Sequence, residues 1–144
     1  MKNTEAEGFH RELFERIPET KRDRLLAVAI EEFSEHGLSD ANINHIAKRS
    51  GISIGSLYQY FASKDDLYLT VVQYGLSALE EALNPILESK KTALEKIECI
   101  IDTIFEKTQQ QKSLTRLYNR FTSEGNSELA RTLAEARAVL MAAD

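Results

Sequence analysis

Cysteine occurs once in the chain, at Cys99, which excludes an internal disulfide and any site built from several thiolates. A reducing cytoplasm is the compartment expected of such a chain. Tryptophan is absent and proline occurs only at Pro18 and Pro85, so long stretches carry no helix breaker. No run comes near the roughly 20 apolar residues of a membrane span. Met1 to Glu7 is polar and acidic where a signal peptide needs an apolar core, so neither insertion nor secretion is expected. Strand-like alternation is missing as well, and the whole chain reads as all-α. His10, His36 and His45 share no metal-ligand spacing with one another or with Cys99. The glycine-containing run from Gly51 to Ser56 lacks the lysine of a phosphate-binding loop. With no readable nucleophile–base pair or paired catalytic carboxylates, no enzyme, cofactor or metal is expected.

Acids are what the chain has in excess, 23 against 18 Lys and Arg, for a net charge of −5. That balance alone argues against nucleic acid, where affinity comes from clustered cations. Its distribution argues the other way. Between Ala41 and Lys64 stand Lys48, Arg49 and Lys64 and no carboxylate at all.

Residues 1–20 read as an N-terminal lead-in with a short amphipathic piece from Phe9 to Phe14, ending at Pro18. Thr20 with Asp23 resembles a capping box for a first helix whose Leu25, Leu26, Ala29, Ile30 and Phe33 share a face and which Gly37 stops. Asn42 caps a short helix carrying Ile43, Ile46 and Ala47, and Gly51 supplies a left-handed turn. A second short helix begins at Ser53 with Ile54, Leu57 and Phe61 at spacings of three and four. Ser63 with Asp66 starts a long helix to about Asn84–Pro85 or a turn beyond. Thr92 with Glu95 caps a helix to about Gln111, Ser113 caps another through Phe121, Gly125–Asn126 is a turn, and a last helix starts near Ser127.

Ile43 to Tyr60 has the spacing of a helix-turn-helix. Small Ala47 lets two helices cross closely, Gly51 turns the chain, and Ile46, Ile52 and Leu57 form the apolar wedge that sets the angle of the second helix. With those buried, Ser53, Gly55, Ser56, Gln59 and Tyr60 face outward. Ser and Gln bond phosphates or base edges, Gly55 admits close approach, and tyrosine hydroxyls reach phosphate oxygens. Lys48 faces roughly where a duplex would lie, and Lys64 would pin a flanking phosphate.

At these residues the chain resembles the tetracycline-repressor-like (TetR) family. The matching string runs from Lys21 through Ala29, Phe33, Gly37, Ile46–Ala47, Gly51–Ser53, Gly55–Tyr58 and Tyr60–Phe61 to Ser63–Leu67, about a third of the chain. The resemblance implies a helix-turn-helix DNA-binding domain at 21–68 and a helical ligand-binding and dimerisation domain at 69–144. It implies a homodimer on a palindromic operator in double-stranded DNA, usually a repressor, released by a small-molecule effector. It places Tyr58, Tyr60 and Lys64 at phosphate-contacting positions, Asn42 at the cap of the first motif helix, and Ser53, Gly55, Ser56 and Gln59 on the recognition helix. Ile54 departs from the family's common lysine or polar residue, which suits an apolar contact such as a thymine methyl. Family bodies continue through two further helices that pair between subunits, and none is readable before Asp144, so the body is expected to be partial. A fragment, a different dimer and no dimer all stay open.

In the body, Tyr74, Phe105, Tyr118 and Phe121 are candidate ligand-cavity residues, with Thr108, Arg116 and Asn119 as polar anchors if they face inward. The rival reading is a truncated or partner-dependent helical interaction module without independent operator recognition.

Overall fold

The computed structural model describes residues 9, 10, 12–123 and 127–142. Every element among them is an α-helix: α1 (Glu12–Arg16), α2 (Glu19–Asp40), α3 (Ile43–Ser50), α4 (Ile54–Tyr60), α5 (Lys64–Glu88), α6 (Ala93–Gln110), α7 (Lys112–Ser123) and α8 (Ser127–Ala142). The expected turn at Gly125–Asn126 lies outside the described residues.

Local chemistry sets most of the starts. Asn42 Oδ1 accepts from the His45 amide at 3.2 Å, Ser53 Oγ from Ser56 at 3.0 Å, and Ser63 Oγ from Asp66 at 3.1 Å. Thr92 and Glu95 form a reciprocal capping box on α6, and these bonds together with nearby Lys91 hold the Glu95 carboxyl below its ordinary value. Thr20 does not cap α2. The helix begins at Glu19, two residues earlier, where Pro18, with its fixed φ of −54°, turns the chain and offers its carbonyl to Lys21 and Arg22 at 2.9 and 3.1 Å. Ser113 likewise lies inside α7, which starts at Lys112.

Gly37 breaks α2 as expected, at φ 73° and ψ 179°, and one further turn follows to Asp40. At α5 the helix carries Pro85 within its last turn and stops at Glu88.

Residues 12–16 pack into the head. Phe14 of α1 is buried, with its ring 5.0 Å from Phe61 and 6.0 Å from Tyr60, so α1 closes the underside of α4. The expected division at residue 68 falls inside α5, and Tyr68 there is fully buried between Phe33 of α2 and Phe121 of α7, at 5.0 and 5.9 Å. One apolar core thus runs from the head helices into α5 and α7. In α6 no residue is fully buried, and Leu94, Ile97, Ile101, Ile104 and Phe105 are exposed. No helix among the described residues is long and apolar enough to cross a membrane.

Candidate nucleic-acid interface

The turn between α3 and α4 is closed by two backbone bonds, Gly51 N–H to Lys48 O at 3.2 Å and Ile52 N–H to Ala47 O at 3.1 Å. This is the pattern of a helix end stopped by a left-handed residue, and Gly51 has φ 72°. Ile46, Ala47 and Leu57 are buried and Ile52 partly so, which fixes α4 against α3 as the wedge requires.

On the open side of α4 lie Ser53, Ile54, Gly55, Tyr58 and Gln59. Ile54 does not join Leu57 and Phe61 in the core. It is 37% exposed, at the first position of α4. Tyr58 is 48% exposed. Tyr60 is half-buried against Phe14, so of the outward set it has the least open ring. The Ser53 hydroxyl accepts from the Ser56 amide and donates to Ser56 Oγ at 2.9 Å. Ser53 is therefore first a cap, and Ser56 keeps a proton with which to donate. A Cβ on Gly55 would meet only Ser53 Oγ, at 3.9 Å, so that surface is open for close approach.

The cations divide by what they already hold. Lys48 is exposed on α3. Arg49 pairs with Glu31 of α2, and Arg24 donates to the Arg49 carbonyl at 3.1 Å, so these two lock α3 onto α2. Lys64 donates to the carbonyls of Ser39 and Ala41 at 3.0 and 3.3 Å, which leaves one of its three N–H bonds for a phosphate. Asn42 is exposed at the mouth of α3 but spends its carbonyl oxygen on the cap.

Two residues important to this geometry were not among the sequence candidates. Glu32 is 3% exposed and accepts from the Asn42 amide at 3.1 Å and from His45 Nδ1 at 2.9 Å. Its place in the apolar stripe of Leu25, Ala29 and Phe33 was a readable sign of a buried carboxylate. Arg120 reaches from α7 to the carbonyls of Ser34 and Glu35, 86 and 85 residues away in sequence, a relation no local pattern encodes.

The four aromatic body candidates are not brought together. Tyr118, Thr108 and Asn119 line a cavity of about 190 Å³ with Leu79, Ile104 and Leu114, between α5, α6 and α7. Tyr118 donates its hydroxyl to the Val72 carbonyl at 3.2 Å, and burial pushes its pKa upward. Tyr74 lines a separate groove of about 450 Å³ against α2 and the α6–α7 turn. Phe105 is 66% exposed on the open face of α6, and Phe121 is packed in the core against Tyr68, so neither lines the cavity. Helical spacing placed Phe121 on the apolar face of α7 without saying that α2 and α5 fill it. Arg116 is exposed.

Residues 25–71 match the family model for bacterial regulatory proteins of the tetR family. The chain is 32% identical over 104 residues to the HTH-type transcriptional regulator BetI 1 of Chromohalobacter salexigens, covering 72% of this chain and 52% of that protein. It is 24% identical over 112 residues to the fatty acid metabolism regulator protein of Bacillus subtilis, covering 78% and 58%. Among solved structures, the transcriptional regulator FadR from Bacillus subtilis in complex with stearoyl-CoA superposes with a TM-score of 0.70 at 25% identity, covering 81% of this chain and 62% of that one. The chain spans between half and three-fifths of the length of these two curated relatives.

Proposed function

Because the chain belongs, through residues 25–71, to the tetR family of bacterial regulatory proteins, we propose that it is a sequence-specific DNA-binding transcriptional regulator. In this reading it works in the cytoplasm as a homodimer on a palindromic operator and acts as a ligand-responsive repressor. The observation that carries the reading is the open face of α4: Ile54, Gly55, Tyr58 and Gln59 stand outward from a buried Leu57, inside a stretch from Ala41 to Lys64 without a carboxylate. No carboxylate of that stretch repels a phosphate backbone, and base edges meet one apolar and several polar groups.

The effector belongs to the cavity between α5, α6 and α7. Its wall is apolar at Leu79, Ile104 and Leu114, with polar groups from Thr108, Asn119 and Lys107. About 190 Å³ is below the roughly 300 to 1,000 Å³ of most small-molecule sites, so an effector is held in part or spreads the helices. The related regulator bound to stearoyl-CoA supports a molecule with an apolar portion.

Selection of bound sequences from a random duplex pool, at stated salt, tests this. A palindromic consensus is the expected result. A single half-site would keep sequence recognition and overturn the homodimer, and no enrichment would overturn the regulator reading. The open apolar face of α6 supports a second reading, a helical module that associates with a partner. Light scattering showing a monomer, together with weak duplex binding of no sequence preference, would favour it.

A further inference from the structure

The segment from Ser34 to Asn42, which joins α2 to α3, is gripped by side chains from three helices. Glu32 of α2 holds the Asn42 amide, Lys64 at the start of α5 holds the Ser39 and Ala41 carbonyls, and Arg120 near the end of α7 holds two more. Arg120 Nε donates to Ser34 O at 2.9 Å and its Nη2 to Glu35 O at 3.0 Å. Gly37 leaves helical geometry just beyond, so these carbonyls stand at the negative end of the longer part of α2. A guanidinium there satisfies acceptors and opposes the helix dipole together.

The two helices that grip this junction from the body side also face each other at the cavity. Gly75 of α5 lies so close to Leu114 of α7 that a Cβ on it would stand 2.7 Å from Leu114 Cδ1, and Tyr118 ties α7 to the Val72 carbonyl of α5 at 3.2 Å. Arg120 is two residues beyond Tyr118. Any displacement of α7 from α5 at the cavity therefore acts on the Arg120 cap, and through it on the segment that aims α3 and α4.

Resting on the reading of a ligand-responsive DNA binder, we infer that Arg120 is a positioning residue that transmits the spacing of α5 and α7 to the helix-turn-helix through the end of α2. Lys64 fixes one side of the junction to α5, and Arg120 makes the other side follow α7. Without Arg120, the end of α2 no longer follows α7 through this cap.

A double-mutant cycle in the full chain tests this without an identified ligand. Gly75→Leu serves as the wedge: its Cβ alone would stand 2.7 and 2.9 Å from the Leu114 methyl carbons, which a turn of that side chain relieves, and the branched carbons beyond it then need α7 to move from α5. Two readings are taken: anisotropy of a labelled duplex obtained by selection, and hydrogen exchange across residues 34–42. With Arg120 present, the wedge is expected to change duplex affinity by about threefold or more and to raise exchange in that segment. In the Arg120→Met background both responses to the wedge disappear, and Arg120→Lys, able to cap one carbonyl, restores part of them. Equal responses in the Arg120 and Arg120→Met backgrounds, or no response with Arg120 present, overturn the inference. If Arg120→Met does not fold, an undiminished response in Arg120→Lys overturns it. If the unaltered chain binds no duplex, the regulator reading fails by itself, and the exchange measurement still decides whether the wedge reaches 34–42 through Arg120.

Discussion

Glu32 and His45 face each other across the first two helices of the head, with Nδ1 of the imidazole 2.9 Å from Oε2 of the carboxylate. A carboxylate can only accept here, so Nδ1 carries the proton. The other Glu32 oxygen takes the Asn42 amide, which leaves one buried side chain responsible for both the cap residue and the first turn of α3.

Removing that carboxylate should loosen α3. Glu32→Ala is expected to lower stability by about 2 to 3 kcal/mol, the range for a hydrogen-bonded buried charge whose partners lose it. Glu32→Gln should recover more than half, because the amide oxygen can still accept from Asn42 while its NH2 donates to a His45 that has moved its proton to Nε2. Urea melting measures the first effect, and imidazole nitrogen shifts measure the tautomer change. A Gln variant as unstable as Ala would refute the shared role.

Lys48 and Lys64 should separate cleanly. Lys48→Ala is expected to weaken duplex binding alike for all sequences and to reduce the salt slope by about one, with no change in melting. Lys64→Ala should do the same to binding but also lower the melting temperature, since the Ser39 and Ala41 carbonyls lose their donor. Identical melting curves for the two variants would contradict the double duty of Lys64.

Gly51 is a test of backbone strain without a clash. A Cβ there meets nothing within 4 Å, so the penalty is the left-handed conformation alone. Gly51→Ala should cost about 1 to 2 kcal/mol, and Gly51→Asn less, because asparagine tolerates this region better. Equal losses for the two, by thermal melting, would point to packing instead.

Tyr118 gives a pH signature. Its hydroxyl pKa is raised by burial, so the neutral form is favoured in the fold. The sign follows: the stabilisation is complete below the ordinary tyrosine value of about 10 and is lost as pH rises above it. Tyr118→Phe should cost about 0.5 to 1.5 kcal/mol at neutral pH and flatten the alkaline part of the stability profile. An unchanged alkaline slope in the Phe variant would assign that loss to other groups.

What the sequence disclosed was mostly written within a few residues of each feature. Asn42, Ser53, Ser63 and Thr92 cap because the amide they satisfy is three residues on, and Gly51 turns because its own φ demands it. Thr20 obeyed the same local rule and lost to Pro18, which makes the same bend by covalent constraint. Less was legible where two distant segments decide the outcome. Phe14 could be seen as apolar but not as the floor under Phe61, and Phe121 could be placed on a face but not told core from cavity. Of the interface, the outward set on α4 was readable from Leu57 and Ile52, whereas the commitments of Lys64 and Arg49 to backbone and carboxylate partners depend on α2 lying beside them.

The acid-free stretch has a consequence for how the molecule meets any polyanion. Its three cations leave the remaining residues with a charge of −8, so positive charge is concentrated along residues 41–64 and negative charge is spread over the rest of the sequence. For a duplex, this distribution favours approaches that bring α3 and α4 to face it. Collisions are thereby sorted by orientation over roughly a Debye length, about 8 Å at physiological salt. The same acids that make the composition look unsuited to DNA then serve to reject every wrong way of arriving.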